Sequence, residues 1–88
     1  PKGTRVVLFG SQARGDAGPE SDWDILILMD KPQISNEDYD AYAYPLVEMG
    51  WKAGEQVSPI LYTYDEWKHR HPTSFYKNVE AEGIELCQ

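Results

Sequence analysis

The sequence predicts an α/β (α+β) fold, in which a small mixed sheet of about four strands is backed by helices. Short apolar runs of strand length alternate along the chain with stretches that repeat apolar residues at helical spacing. Capping residues, glycines and prolines separate these segments. The 88 residues suffice for one small core, so we expect a single domain over residues 1–88.

Four segments have the composition of β-strands. The runs at residues 4–9 and 23–29 are apolar on both faces, which is typical of strands inside a sheet. Residues 57–62 predict a third strand. Pro59 places that strand at an edge or at a bulge, because proline cannot donate a ladder hydrogen bond. Residues 84–86 are a short fourth candidate.

The segment before the third strand has the pattern of an amphipathic helix. Ser35 or Asn36 can cap its start, and Gly54 is expected to mark its exit. Pro45 predicts a kink or a break after Tyr44, because its ring disfavours helical geometry in the preceding residue. The apolar stripe recurs at three- and four-residue steps and consists of Tyr39, Tyr42, Ala43, Leu46, Met49 and Gly50.

Two more helices are predicted after the third strand. Thr63 and Glu66 have the spacing of a capping box, which opens a short helix. Thr73 or Ser74 can cap the last helix, which is expected to end before Gly83 in the C′ position. These helices complete the alternation of strands and helices on which the predicted fold rests.

Asp22 and Asp24 stand at the entry to the second strand. Because side chains alternate along a strand, both carboxylates should project from the same face, with Trp23 on the opposite one. Two carboxylates beside a glycine turn suit a divalent metal ion that holds a phosphate chain. The alternative is a pair of solvated acids at a strand start.

The turn after the first strand contains the candidate phosphate contacts. Gly10 permits close approach of the backbone, and the hydroxyl and amide of Ser11 can donate to an anion. Residues 11–14 can form one helical turn that Gly15 stops. Arg14 is either a partner for phosphate charge or a surface arginine, and Gly10-Ser11 can equally be an ordinary capped turn.

The spacing of these residues resembles a known family. Gly10-Ser11, ten intervening residues and then Asp22-x-Asp24 before an apolar strand are similar to the signature of minimal nucleotidyltransferases of the DNA polymerase β superfamily. Further matches extend over most of the chain: Ala13-Arg14-Gly15, Ser21, Ser58-Pro59 and Glu82-Gly83-Ile84. The two short motifs carry weight together, at this separation and between two apolar strands.

The resemblance implies a Mg²⁺-dependent nucleotidyltransferase. Asp22 and Asp24 would be catalytic residues and metal ligands, with a two-ion site as one arrangement. A nucleoside triphosphate, such as ATP, would contact Gly10, Ser11 and Arg14, and AMP would pass to a hydroxyl on a partner protein. Such small proteins often pair with a helical HEPN-type protein, as the antitoxin of a toxin–antitoxin system. The alternatives are a catalytically weak or inactive nucleotide-binding module, and an interaction domain that binds no nucleotide.

Catalytic members of the family usually carry a third carboxylate on a later strand. Aligning Val57-Ser58-Pro59 with that strand puts Gln56 where the acid would fall, with Glu55 next to it. Gln56 can accept a hydrogen bond but cannot act as a base. Glu55 should project to the opposite face unless a bulge shifts the register.

Composition narrows the function classes. The net charge of −7 and only eight scattered basic residues argue against an extended nucleic-acid interface. No apolar run approaches about 20 residues, so no membrane span is expected. One cysteine and the absence of a signal-peptide pattern favour a cytoplasmic location. His69 and His71 lack the further ligands that a zinc site needs.

Overall fold

The computed structural model describes residues 3–87, and for Cys87 the backbone only. Its sheet has four strands in the order β3-β2-β1-β4. Strand β1 is antiparallel to β2 and β4, whereas β2 and β3 are parallel, so the predicted mixed sheet is confirmed. The bounds are β1 Thr4–Phe9, β2 Trp23–Met29, β3 Val57–Thr63 and β4 Ile84–Cys87.

Helices connect the strands and cover the sheet. The first is one turn long, and a π-helical turn over Tyr39–Ala43 joins the second helix to the third. The bounds are α1 Ser11–Arg14, α2 Asn36–Asp38, α3 Tyr44–Lys52, α4 Tyr64–Lys68 and α5 Ser74–Glu82. No helix within residues 3–87 has the length and apolar character needed to cross a membrane.

Each face of the sheet packs against its own helices. Helix α3 and the π turn cover the face of Ile27, Met29 and Leu61. Helices α4 and α5 cover the face of Leu26 and Leu28. Strand β2 therefore lies between two apolar layers, which explains why neither of its faces is polar beyond Asp24. The two acids of the site share a face with Leu26, because they alternate with Trp23 and Ile25.

Local signals in the sequence set most helix starts. Ser35 and Asp38 form a capping box at α2, and Thr63 and Glu66 form another at α4. The Thr73 hydroxyl accepts from the amide of the third residue of α5. Each cap satisfies amides that would otherwise lack a partner at the helix start.

Of the predicted kink or break after Tyr44, the break does not occur. Tyr44 has helical dihedrals, and the helix continues through Pro45. The irregularity lies one turn earlier, where the Tyr44 N–H donates to the Tyr39 carbonyl five residues back. This π turn lets Pro45 fall at the start of α3, a position that tolerates the loss of an N–H.

Three further expectations are corrected by packing. Tyr39 and Met49 are exposed, because the π turn changes the helical phase before α3 and Met49 lines an open groove beside Trp23. Gly83 is extended (φ −66°, ψ 146°) and does not adopt the left-handed conformation that is usual for a C′ glycine. A Cβ there would lie 2.5 Å from the Val79 carbonyl oxygen, so close packing requires glycine at this position.

Candidate active site

Two aspartates lie side by side where β2 begins. Asp22 directly precedes the strand, and Asp24 is its second residue. Both side chains are half-buried. Asp24 is paired across the sheet with Phe9 of β1 and with Ser58 of β3, so it lies near the middle of the sheet rather than at an outer edge. The site therefore has one wall from β1 and another from β3.

Gly10 forms the wall on the β1 side. Its backbone has φ 76° and ψ −158°, a region that is essentially restricted to glycine. A Cβ at this position would lie 2.5 Å from Oδ2 of Asp24. Glycine is thus required twice, for its dihedrals and for the approach of the carboxylate. Ser11 follows at the start of α1 and is half-buried.

Ser58 forms the wall on the β3 side. Its hydroxyl donates to Oδ2 of Asp22 at 3.2 Å. Ser58 is the contact that sequence reasoning did not single out as a site residue. Strand alternation could have found it, because Gln56 and Ser58 lie two residues apart and share a face.

The charge of the two aspartates is not balanced within residues 3–87. Burial raises the pKa of Asp24 above its ordinary value, and the neighbouring charge of Asp22 raises it further. No salt bridge in this part of the chain involves either carboxylate. An arrangement of half-buried like charges without a cation favours binding of a positively charged ligand.

The comparisons with known proteins agree with this geometry. A family described as a nucleotidyltransferase domain matches residues 1–85 of the chain.

The chain belongs to this family.

Two relatives of this nucleotidyltransferase domain come from Methanocaldococcus jannaschii. The one provisionally named protein adenylyltransferase MJ0141 is 40% identical over 86 residues, which cover 93% of this chain and 77% of the relative. The one provisionally named protein adenylyltransferase MJ0604 is 34% identical over 79 residues, which cover 90% and 73% of the two chains. No solved structure matches the chain significantly.

The oxygen atoms of the candidate site have the chemistry that a hard divalent cation prefers. Asp22 and Asp24 offer carboxylate oxygens, and the hydroxyl of Ser58 lies against Asp22. Mg²⁺ typically takes one or two carboxylates and completes its coordination with water and substrate phosphates. Within residues 3–87 no group of three or more His, Cys, Asp or Glu side chains could hold a metal. Two carboxylates are within the number of ligands that Mg²⁺ typically takes from a protein.

The two candidates for a third carboxylate lie beside the site, just before β3. The Gln56 carbonyl accepts a hydrogen bond from the Trp23 N–H at 2.8 Å. Since Val57 is paired with Trp23, strand alternation places Gln56 on the face of Asp22. Glu55 lies two residues before β3, where it lines both a cavity with Ser21 and Gln56 and the groove beside Trp23. Both side chains are exposed. A role for either as the third ligand stays a prediction.

Arg14 has partners of its own in the structure. Its Nε donates to Asp16 at 3.2 Å, and Nη1 lies 3.9 Å from Glu82 of α5. The guanidinium is partly exposed, so these contacts are of the weak surface type. A contact between Arg14 and phosphate stays a prediction, and it would require exchange of these carboxylates for the nucleotide.

Proposed function

We propose that this nucleotidyltransferase domain transfers AMP from ATP to a hydroxyl group of a partner protein. The observation that carries the proposal is the unbalanced pair of Asp22 and Asp24, which lies against the Gly10 turn. The names of the two relatives support a protein as the acceptor. In this reaction the acceptor oxygen attacks the α-phosphorus, and pyrophosphate leaves from the opposite side.

Asp22 and Asp24 are the proposed catalytic residues and the proposed ligands of Mg²⁺. The ion, when bound, would neutralise phosphate charge during transfer, and a second ion is one arrangement that such sites use. Gly10 would let the backbone approach the phosphates, while Ser11 would donate to them. Ser58 would hold Asp22 in its orientation through the hydrogen bond at 3.2 Å.

The proposed partner is a helical protein of the HEPN type, with this chain as its antitoxin. That pairing rests on the resemblance of the Gly-Ser and Asp-x-Asp motifs. The exposed apolar side chains of Tyr44, Met49 and Trp51 on α3 would suit a protein surface. A cytoplasmic location, expected from the single cysteine, stays a prediction.

A second candidate function is a nucleotide-binding module that acts by complex formation without turnover. The observation that favours it is the hydroxyl of Ser58, which contacts Asp22 from β3. A hydroxyl at that place adds no negative charge and is a poor base near neutral pH. Binding of the nucleotide would then persist, and transfer would be slow or absent.

Calorimetric titration with ATP, with and without Mg²⁺, tests whether the site binds a nucleotide. We expect Mg²⁺-dependent binding. Transfer of labelled AMP to a candidate partner then separates enzyme from binding module, since only the enzyme labels the partner. Absence of any ATP binding would exclude both candidates and leave an interaction domain without a nucleotide site.

Gly10→Ala and Gly15→Ala form a matched pair for locating the phosphate site. Both glycines have positive φ, 76° and 83°. A Cβ at Gly10 meets Asp24, whereas a Cβ at Gly15 meets nothing within 4 Å. We expect Gly10→Ala to abolish ATP binding and Gly15→Ala to retain it in the folded protein, as measured by calorimetry. Equal affinities in the two variants would place the phosphates elsewhere.

A further inference from the structure

A cavity of about 580 Å³ opens at the end of the sheet where β2 and β3 begin. Ser21, which precedes Asp22, and Gln56 form its wall toward the site. Glu20 and Glu55 also line it, and so does Trp51, whose side chain is 70% exposed. The cavity therefore adjoins the start of β2 through Ser21, and Gly10 and Ser11 are not part of its lining.

The geometry of an in-line reaction would place the acceptor on the side of the site where this cavity opens. In an in-line displacement, the attacking oxygen and the leaving group lie on opposite sides of the phosphorus. Gly10 lies against Asp24 on the β1 side, and Ser58 lies against Asp22 on the β3 side. If the leaving pyrophosphate lies over the Gly10 turn, the acceptor must approach from β3, where the cavity opens.

We propose that this cavity receives the acceptor segment of the partner, and that this segment carries lysine or arginine next to the acceptor hydroxyl. The inference rests on the proposed function, because it assigns the acceptor side of the same reaction. The hydroxyl oxygen forms a bond to the α-phosphorus as the bond to the bridging oxygen breaks. Pyrophosphate leaves, and the hydroxyl proton passes to solvent.

The lining of the cavity defines the chemistry of the segment. Glu20 and Glu55 are acidic, and none of the described residues that line the cavity is basic. A triphosphate would be repelled there, whereas an ammonium or guanidinium group would be attracted. The open face of Trp51 can also bind a cation over its ring. The overall charge of −7 also favours the approach of a basic segment to the protein.

The test uses short peptides with a single serine or tyrosine flanked by lysines, compared with the same peptides flanked by glutamates. Binding is measured by fluorescence anisotropy on the protein loaded with Mg²⁺ and α,β-methylene-ATP, and again without nucleotide. We expect the lysine peptides to bind about tenfold more tightly than the glutamate peptides. Equal affinity, a preference for glutamate or no binding of either peptide would overturn the inference.

Matched variants locate the effect. The double substitution Glu20→Gln with Glu55→Gln should weaken binding of the lysine peptide about fivefold, which corresponds to about 1 kcal/mol for exposed pairs. Trp51→Ala should weaken binding of the lysine peptide about fivefold or more. The controls are Glu48→Gln, which changes an exposed acid of α3, and Tyr39→Ala, which changes an exposed aromatic of the π turn. Equal losses in the controls would contradict the assignment.

Failure of this inference can be distinguished from failure of the proposed function. Nucleotide affinity is measured by calorimetry for every variant, so a loss of peptide binding is not confused with a loss of nucleotide. A protein that binds the lysine peptide through Glu20, Glu55 and Trp51 but never binds ATP would keep the surface and lose the proposed function. Transfer of AMP to peptides without a preference for lysine would support the proposed function and overturn the inference about the cavity.

Discussion

Two acidic regions of this molecule treat aspartate in opposite ways. At the start of α2, Lys31 Nζ lies 2.9 Å and 2.8 Å from the two oxygens of Asp38, and the Ser35 amide donates to the same carboxylate at 2.8 Å. The hydrogen bond from Lys31, followed by that from the Ser35 amide, lowers the pKa of Asp38. At the start of β2, burial and the neighbouring Asp22 raise the pKa of Asp24.

The difference separates a structural acid from a candidate functional one. Asp38 ionises readily because a cation and an amide stabilise its charge, and its contribution is to the helix start. Ionised Asp22 and Asp24 repel each other in a half-buried position. A bound cation would relieve this repulsion, so the pair favours binding of a cation but does not stabilise the fold.

The largest expected effect comes from removing both charges at β2. Asp22→Asn with Asp24→Asn should abolish Mg²⁺-dependent ATP binding, a loss of at least about a hundredfold in affinity. The thermal midpoint should not fall, because the repulsion between the carboxylates is removed with them. Calorimetry and thermal unfolding measure the two quantities. Retained metal-dependent affinity would show that the two carboxylates are not the metal ligands.

Adding a third acid sharpens the comparison from the other direction. Ser58→Asp places a carboxylate where a hydroxyl now contacts Asp22 at 3.2 Å. Gln56→Asp places a carboxylate two residues earlier, on the same face. A positioned base contributes about a hundredfold or more to transfer. We expect AMP transfer to rise in both variants, and more at position 58. Vigorous wild-type transfer that Glu55→Gln abolishes would instead indicate a shifted register.

At the α2 start the expected effect is on stability alone. Ser35→Ala removes the hydroxyl that accepts from the Asp38 amide and should lower the free energy of unfolding by about 1 kcal/mol. Asp38→Asn should also lower it, because Lys31 and the Ser35 amide lose their charged partner. The control Asp40→Asn removes an exposed acid of the adjacent π turn. A change in ATP affinity in either variant would weaken the division between the two regions.

The smallest effect is the pH dependence of these stabilities, which should have opposite signs. The stabilisation from Asp38 is full above the ordinary pKa of 3.8 and is lost as the pH falls through the lowered pKa. For Asp24, stability is highest below 3.8 and declines as the pH rises through the raised pKa. Asp24→Asn should therefore stabilise the protein near neutral pH, and Asp38→Asn should destabilise it. Denaturant unfolding at several pH values measures the change in free energy of unfolding for each variant. Changes of the same sign in the two variants would contradict this assignment.

Much of the fold could be predicted because its signals are local. Proline at position 59 indicated an edge or a bulge, and β3 is an edge strand. The candidate cap at Ser35 or Asn36 and the capping box at Thr63 indicated helix starts. The π turn before Pro45 and the extended Gly83 could not be predicted in this way. Both depend on what packs against the segment, such as the Val79 carbonyl that a Cβ on Gly83 would meet.

The candidate site divides along the same line. Strand alternation was enough to place Asp22 and Asp24 on one face, and the Gly-Ser spacing directed attention to Gly10. Strand alternation places Ser58 on the face of Gln56, but its contact with Asp22 also requires the parallel register of β2 and β3, which no local pattern specifies. The pairing of Arg14 with Glu82 depends likewise on where α5 packs.

Pro59 has a consequence for how other chains can meet this sheet. The Gln56 carbonyl bonds to β2, so Val57, Pro59 and Leu61 direct their main-chain groups away from β2 toward the open edge. A foreign strand that tried to extend the sheet there would find no N–H donor at the centre of the row. The edge is thereby protected against aggregation by strand addition. A partner at this edge must accordingly be recognised through side chains, by shape and charge rather than by a shared ladder.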